Sequence, residues 1–184
     1  MSHQRKSKIV TQKDEWGTPV WLWHLLRDEY NLVVDAACTP ENALTSFSIG
    51  ENSLTIPWVG LFGKVGFFLN PPYSAGNIDR FMQKAYEESQ KGAVVVCLVP
   101  CATDTKWWHL YAMKAQEIRF IKGRVRFVGY DEDGNAVKNS PTFSSCVAIF
   151  DQKLEQRNMD ATRLFEFVRP RIGKSIEQPR SVKA

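Results

Sequence analysis

The sequence predicts an α/β fold built on a mostly parallel sheet, with an antiparallel hairpin at one edge. Three observations carry this expectation. Strand-like and helix-like stretches alternate along the chain, the pattern of helix-connected parallel strands. Residues 93–99 (AVVVCLV) are apolar throughout and bounded by Gly92 and Pro100, as suits a strand covered on both faces. Late in the chain, short β-like segments follow one another with a polar turn nearby, which favours antiparallel pairing at an edge.

Taken in order, the first helix is expected to start at Thr18-Pro19, with a capping hydroxyl followed by a proline whose missing N–H costs nothing at a first helical position. Val20, Trp23, Leu26 and Tyr30 recur at spacings of three and four and mark its apolar face. A strand over 32–34 follows and ends in Asp35-Ala36-Ala37; further strands are expected over 45–49 and 65–69. Residues 77–91 form the next helix, with Asn77 as cap, Ile78, Phe81, Met82 and Ala85 on one face, and Gly92 as the stop. After the strand at 93–99, residues 104–115 read as helix, with Asp104 as its N-cap, 117–121 and 124–128 as strands, 131–134 as a turn and 145–150 as a strand. A last helix is expected over 154–168.

A chain of 184 residues, 43% apolar and 24% charged, fits one globular domain, placed here at 14–168. No apolar run approaches the ~18 residues a membrane helix needs, and residues 1–13 lack the apolar segment of a secretory signal. Cys38, Cys97, Cys101 and Cys146 are scattered without a CxxC pair and with few histidines, which argues against a disulfide framework or a metal site and for reduced thiols in the cytoplasm. The net charge of +4 divides unevenly: residues 1–13 and 169–184 together carry +8, leaving −4 on the body. The two ends read as flexible basic arms, suited to salt-dependent attraction to phosphates or simply to solubility.

The strongest chemical signal is Asn70-Pro71-Pro72-Tyr73, directly after the strand Phe67-Phe68-Leu69. Ligands of open α/β sheets bind beyond the carboxyl ends of strands. Each proline lacks an N–H and forces its predecessor out of the helical region, so the segment is stiff and extended. That stiffness aims the Asn70 side-chain oxygen and the Pro71 carbonyl as fixed acceptors, while Tyr73 offers a flat ring for stacking. Two acceptors and a ring match an aromatic amine such as adenine N6, whose delocalised lone pair becomes nucleophilic once its N–H groups are hydrogen-bonded. Orientation and local electrostatics then lower the barrier, and a base in a duplex must flip out to arrive there.

The chain resembles the small phage-type DNA N6-adenine methyltransferases of the Dam-like group. The resemblance covers about residues 14–150 and rests on blocks in one order: Asp14-Glu15-Trp16-Gly17-Thr18-Pro19, Asp35-Ala36-Ala37-Cys38, Asn70-Pro71-Pro72-Tyr73-Ser74, Leu98-Val99-Pro100 with Thr103-Asp104-Thr105-Lys106-Trp107-Trp108-His109, and Ile118-Arg119-Phe120-Ile121-Lys122-Gly123-Arg124. It implies a Rossmann-like methyltransferase fold, S-adenosylmethionine as cofactor, double-stranded DNA with a flipped adenine as substrate, and the bacterial host cytoplasm as location for a phage-borne protein. Trp16, Thr18 and Pro19 are implied to border the cofactor, with Asp35, Ala36, Ala37 and Cys38 forming the loop near its methionine portion. Glu51 and Asn52 are both plausible partners for its ribose or adenine.

One departure stands out. The loop Asp35-Ala36-Ala37-Cys38-Thr39-Pro40 lacks the glycine-rich turn through which many methyltransferases approach their cofactor. For DNA, Thr105, Lys106 and Trp107 are expected beside the Asn70 loop, although each tryptophan of the pair is equally suited to the core. Lys122, Arg124 and Arg126 form the local basic cluster of the body. Strand alternation would place Arg124 and Arg126 opposite Val125 and Phe127, on a phosphate-contacting face or a merely solvated one. Residues 129–140 read as a loop that supplies base readout. The same Asn-Pro-Pro-Tyr chemistry serves RNA and protein-amide acceptors, and a non-catalytic DNA-binding version of the fold is the rival of a different class.

Overall fold

The computed structural model describes residues 14, 16–50, 52–131, 136–139 and 141–154. The chain runs α1 (Val20–Tyr30), β1 (Leu32–Asp35), β2 (Phe47–Ser48), α2 (Trp58–Phe62), β3 (Gly66–Leu69), α3 (Asn77–Gln90), β4 (Val94–Pro100), α4 (Lys106–Leu110), β5 (Glu117–Phe120), β6 (Phe127–Tyr130), β7 (Ala136–Asn139) and β8 (Ser145–Phe150). Six strands form the main sheet in the order β2-β1-β3-β4-β8-β5. β2, β1, β3 and β4 are mutually parallel, whereas β8 runs antiparallel to both β4 and β5. The antiparallel pair β8–β5 thus closes one edge of a mostly parallel sheet. β6 and β7 form a separate antiparallel ribbon.

Side-chain alternation divides the core between the two sheet faces. Phe67 and Leu69 of β3, Val95, Cys97 and Val99 of β4, and Cys146, Ala148 and Phe150 of β8 join Trp58, Met82, Trp107 and Trp108 on one face. Phe68, Val96, Leu98, Val147 and Ile149 point the other way, onto Leu22, Trp23 and Leu26 of α1 and onto Val125 and Phe127. Gly66 is required by packing: a Cβ there would lie 2.6 Å from the Asn31 carbonyl oxygen. Buried charge pins two helices. Glu88 accepts from Lys84 at 2.7 Å, Lys91 at 2.8 Å and the Val59 N–H at 3.0 Å, joining α3 to α2. Arg119 grips Glu29 through two hydrogen bonds of 2.6 Å, tying edge strand β5 to α1.

Several local expectations shift. Pro19 rather than Thr18 is the N-cap of α1, its carbonyl accepting from Leu22 at 3.0 Å, because Thr18 is buried in the wall of a cavity instead. Gly76 precedes α3 with φ 83°, and Asn77 is the first helical residue, its amide donating to Ser74 Oγ at 2.9 Å. Thr105, not Asp104, caps the short α4, which gives way to a 3₁₀ turn (Ala112–Lys114) rather than running to 115. The strand expected over 124–128 lies later, at β6, and β7 stands where a loop was expected. The arms at 1–13 and 169–184 and the helix at 154–168 lie outside the described residues, apart from Leu154.

Candidate functional site

From β1 the chain moves outward to β2, and it returns on β1's other side as β3, with Asp35 opposite Phe68. Ligands of open α/β sheets bind at such a reversal, outside the carboxyl ends of the strands. A cavity of about 470 Å³ opens there, within the ~300–1,000 Å³ common for ligand sites. Trp16, Thr18, Asp35, Ala37, Cys38, Asn70 and Pro72 are among the residues that line it.

The loop after β1 manages without glycine because Asp35 organises it. One carboxylate oxygen accepts the Ala37 N–H at 3.4 Å and the other the Leu44 N–H at 3.2 Å, and no residue of the loop has a positive φ. Ala36 is fully buried, its N–H donating to the Phe68 carbonyl at 2.8 Å and its carbonyl accepting from Ser53 Oγ, so it holds the loop rather than facing the cavity. Burial pushes the Asp35 carboxyl up to about 6 against the two N–H groups that lower it. Burial, reinforced by Asp35, pushes the Cys38 thiol up to about 11, which keeps it protonated.

Pro19 caps α1 and Asn52 is exposed, and neither lines the cavity; Glu51 lies outside the described residues. The structure adds walls that the sequence reading missed. Asn77, Arg80 and Phe81 project from the first turns of α3, Leu44 and Gly50 flank β2, and Asp14 sits at the rim. Asn77, Arg80 and Phe81 stand at i, i+3 and i+4, a single helix face that was readable as a second stripe.

In the loop after β3, Asn70 is held at both ends of its amide. Its Nδ2 donates to the Trp16 carbonyl at 3.3 Å, and its Oδ1 accepts from the Tyr73 hydroxyl at 2.7 Å. Tyr73 also lies 3.0 Å from the Leu98 carbonyl. The Tyr73 ring does not line the cavity; it packs edge-on to Phe127 and Phe143 at centroid distances of 6.1 and 5.5 Å. Burial, with Cys146 and Cys97 nearby, pushes its hydroxyl well above the usual range, so it acts as a neutral donor. Pro71 is buried, and Pro72 lines the cavity.

The DNA N-6-adenine-methyltransferase (Dam) family matches residues 5–169. The chain belongs to the Dam family. It is 29% identical over 136 residues to the DNA N-6-adenine-methyltransferase of Haemophilus phage HP1 (strain HP1c1), a match covering 71% of this chain and 75% of that protein. With the DNA N-6-adenine-methyltransferase of Escherichia phage T1 it shares 31% identity over 130 residues, 70% of this chain and 52% of that protein. The chain therefore spans about half the length of this second relative. A mostly parallel sheet with an antiparallel pair at one edge gives this Dam-family chain the Rossmann-like architecture expected of a methyltransferase.

Among the described residues of the Dam-family chain, no cluster of His, Cys, Asp or Glu is disposed to hold a metal ion, and no helix is long and apolar enough to cross a membrane. Of the expected DNA contacts, Lys106, Lys122, Arg124 and Arg126 are exposed, and Arg124 reaches Ser144 Oγ at 3.1 Å. Thr105 donates its hydroxyl to the Ala102 carbonyl at 2.7 Å and serves as the α4 cap. Trp107, expected at the DNA, is 4% exposed and packs against Trp108 in the core instead. Arg124 and Arg126 are exposed while Val125 and Phe127 are buried, with residues 124–126 preceding β6 rather than forming a strand.

Proposed function

We propose that the protein transfers a methyl group from S-adenosylmethionine to the N6 amine of an adenine flipped out of double-stranded DNA. The observation that carries this reading is the Asn70-Pro71-Pro72-Tyr73 loop at the end of β3, opening beside Asp35 onto one cavity in a chain of the Dam family.

The cavity's residues fit the cofactor. Asp35 is a buried carboxylate at the wall, matched to the ammonium of the methionine portion, while Trp16, Leu44, Leu54 and Phe81 supply apolar surface for a purine. Ala37 and Cys38 are small enough to let the loop backbone approach, and Thr18 contributes a hydroxyl to the same wall. S-adenosylmethionine supplies, when bound, a methyl group on a sulfonium whose departure leaves a neutral thioether.

The protein's own part is orientation and charge. A carbonyl-type oxygen has two lone pairs, so Asn70 Oδ1 accepts one N6 hydrogen while still holding the Tyr73 hydroxyl. The Pro71 carbonyl is the second acceptor. Hydrogen bonding of both amine hydrogens frees the nitrogen lone pair to form the new N–C bond, and the surplus proton, acidic once nitrogen is alkylated, leaves afterwards. Tyr73 acts through its hydroxyl on Asn70 Oδ1, its ring being anchored by Phe127 and Phe143. Lys106, Lys122, Arg124 and Arg126 contribute phosphate contacts that position the duplex. The site of action is the cytoplasm of a bacterial host.

Incubation with unmethylated plasmid and methyl-labelled S-adenosylmethionine, followed by digestion to nucleosides, tests the reading. Label in N6-methyldeoxyadenosine, lost in Asn70→Ala, is the expected result. Label confined to RNA or protein acceptors, or binding of cofactor without any transfer, overturns it.

A further inference from the structure

The orientation of the Asn70 amide is set from outside its own loop. An asparagine amide presents an oxygen and a nitrogen of nearly equal shape, and only the oxygen can accept from an amine. The Trp16 carbonyl can only accept, so it claims Asn70 Nδ2, at 3.3 Å, and turns Oδ1 toward Tyr73 and the cavity. Trp16 is itself held by its neighbour. Gly17 exchanges two backbone hydrogen bonds with Val128 of β6, Gly17 N–H to the Val128 carbonyl at 2.7 Å and Val128 N–H to the Gly17 carbonyl at 2.9 Å. The segment Trp16–Thr18 is thus an extra strand-like strap on the free edge of the β6–β7 ribbon.

We propose that this strap is a positioning element for methyl transfer: the Gly17–Val128 bridge holds the Trp16 carbonyl where it fixes Asn70 with its oxygen toward the substrate amine. The proposal rests on the methyl-transfer reading for its kinetic consequence but not for its geometry. It makes the β6–β7 ribbon mechanically continuous with the reacting centre, by the bridge on one side and by the Phe127–Tyr73 ring contact on the other. Val128 is a clean place to cut. Backbone groups of successive strand residues point to opposite sides, so the Val128 N–H that bonds Gly17 takes no part in the ladder to β7. Val128→Pro removes that donor, and Val128→Ala controls for the side chain.

The decisive experiment combines steady-state kinetics with nuclear magnetic resonance of protein carrying ¹⁵N-asparagine, in which the Asn70 side-chain signal is identified by its loss in Asn70→Ala. The expected result is that Val128→Pro lowers kcat about tenfold or more relative to Val128→Ala, since small misplacements of reacting groups carry penalties of up to ~100-fold. The Asn70 side-chain protons should also lose their protection from solvent exchange, while KM for S-adenosylmethionine moves far less than kcat. A kcat within twofold of Val128→Ala, with the Asn70 amide still protected, overturns the proposal. Should Val128→Pro fail to fold, exchange in the wild-type protein decides the proposal instead. Wild-type protein gives a variant-free arm: the Gly17 and Val128 backbone amides and the Asn70 side-chain amide should exchange with solvent in step, and independent exchange refutes the coupling. If wild-type protein methylates no adenine, the functional reading fails alone, and the exchange arm still decides the strap.

Discussion

Among the described residues no ion pair neutralises the buried Asp35 carboxylate, and replacing it with asparagine should strengthen the free protein while weakening its grip on cofactor. Its carboxyl is pushed up to about 6 from 3.8, chiefly by burial, and the side chain lies in a residue only 2% exposed. The folded state therefore binds a proton more readily than the unfolded one between about pH 4 and 6. Stability contributed at this site falls as pH rises through that window and is level above it. A shift of this size corresponds to about 3 kcal/mol of unfavourable charge burial at pH 8. Asparagine removes that charge but presents an NH₂ to one of the two N–H groups, of Ala37 or Leu44, that the carboxylate accepts. The lost hydrogen bond returns about 1–2 kcal/mol of the gain. The net is a stabilisation of about 1–2 kcal/mol at pH 8, which vanishes or reverses by pH 4, where the wild-type carboxyl is already neutral.

Urea unfolding of wild type and Asp35→Asn from pH 4 to 8 measures this directly. Isothermal calorimetry at pH 8 should find affinity for S-adenosylmethionine reduced about 10- to 100-fold, the usual range for losing a charge-assisted hydrogen bond. Wild-type affinity should itself rise with pH as Asp35 ionises near 6. A stability difference that does not change with pH refutes the account of burial. Undiminished affinity in Asp35→Asn refutes the carboxylate's role at the ammonium.

Three further outcomes follow from the geometry. Tyr73→Phe keeps the ring against Phe127 and Phe143 but deletes the hydroxyl on Asn70 Oδ1, so methyl transfer should fall about tenfold with a loss of only about 1–2 kcal/mol of stability; Tyr73→Ala should instead destabilise by about 4 kcal/mol in denaturant titration, and equal stability of the two variants would contradict the packing. At Glu88 burial raises the carboxyl, but Lys84, Lys91 and the Val59 N–H override it and hold it down at about 2, so its stabilisation is present above about pH 4.5 and lost as pH falls toward 2. Glu88→Ala should unfold about 3 kcal/mol more easily at pH 7, with the difference shrinking in acid; a difference that persists at pH 2 would exclude the ionic explanation. Arg126→Ala should reduce the slope of log affinity against log salt for duplex DNA by about one, and an unchanged slope in filter binding would remove Arg126 from the phosphate surface.

What was legible in the sequence was whatever a residue's own covalent chemistry or immediate spacing decides. Continuous apolar runs gave β3, β4 and β8, because strands covered on both faces need no polar alternation. Two prolines and their place after a strand located the Asn70 loop. The helix caps moved because hydroxyl and proline are both acceptable at the start of α1, and the burial of Thr18 settled the choice. β7 was invisible because Ala136–Asn139 carries no apolar pattern and owes its strand conformation to pairing with β6. Trp107 is ambiguous by chemistry alone, since a large ring serves a core and a nucleic-acid surface equally, and burial decides it.

Tyr73 shows the limit most sharply. Its ring suggested a stacking platform, and that suggestion took no account of Phe127 and Phe143, which hold it edge-on. The partners that set Asn70 and Tyr73 lie 54 and 25 positions away, at Trp16 and Leu98, beyond the reach of any periodicity. Both are backbone carbonyls, so substitution at either position leaves the acceptor itself in place. Side-chain identity at 16 and 98 therefore says nothing about these bonds, and only the fold that aims the carbonyls carries the information. A loop held in this way is specified twice, locally by two prolines and remotely by a strap and a strand end, and only the first specification is written in the motif.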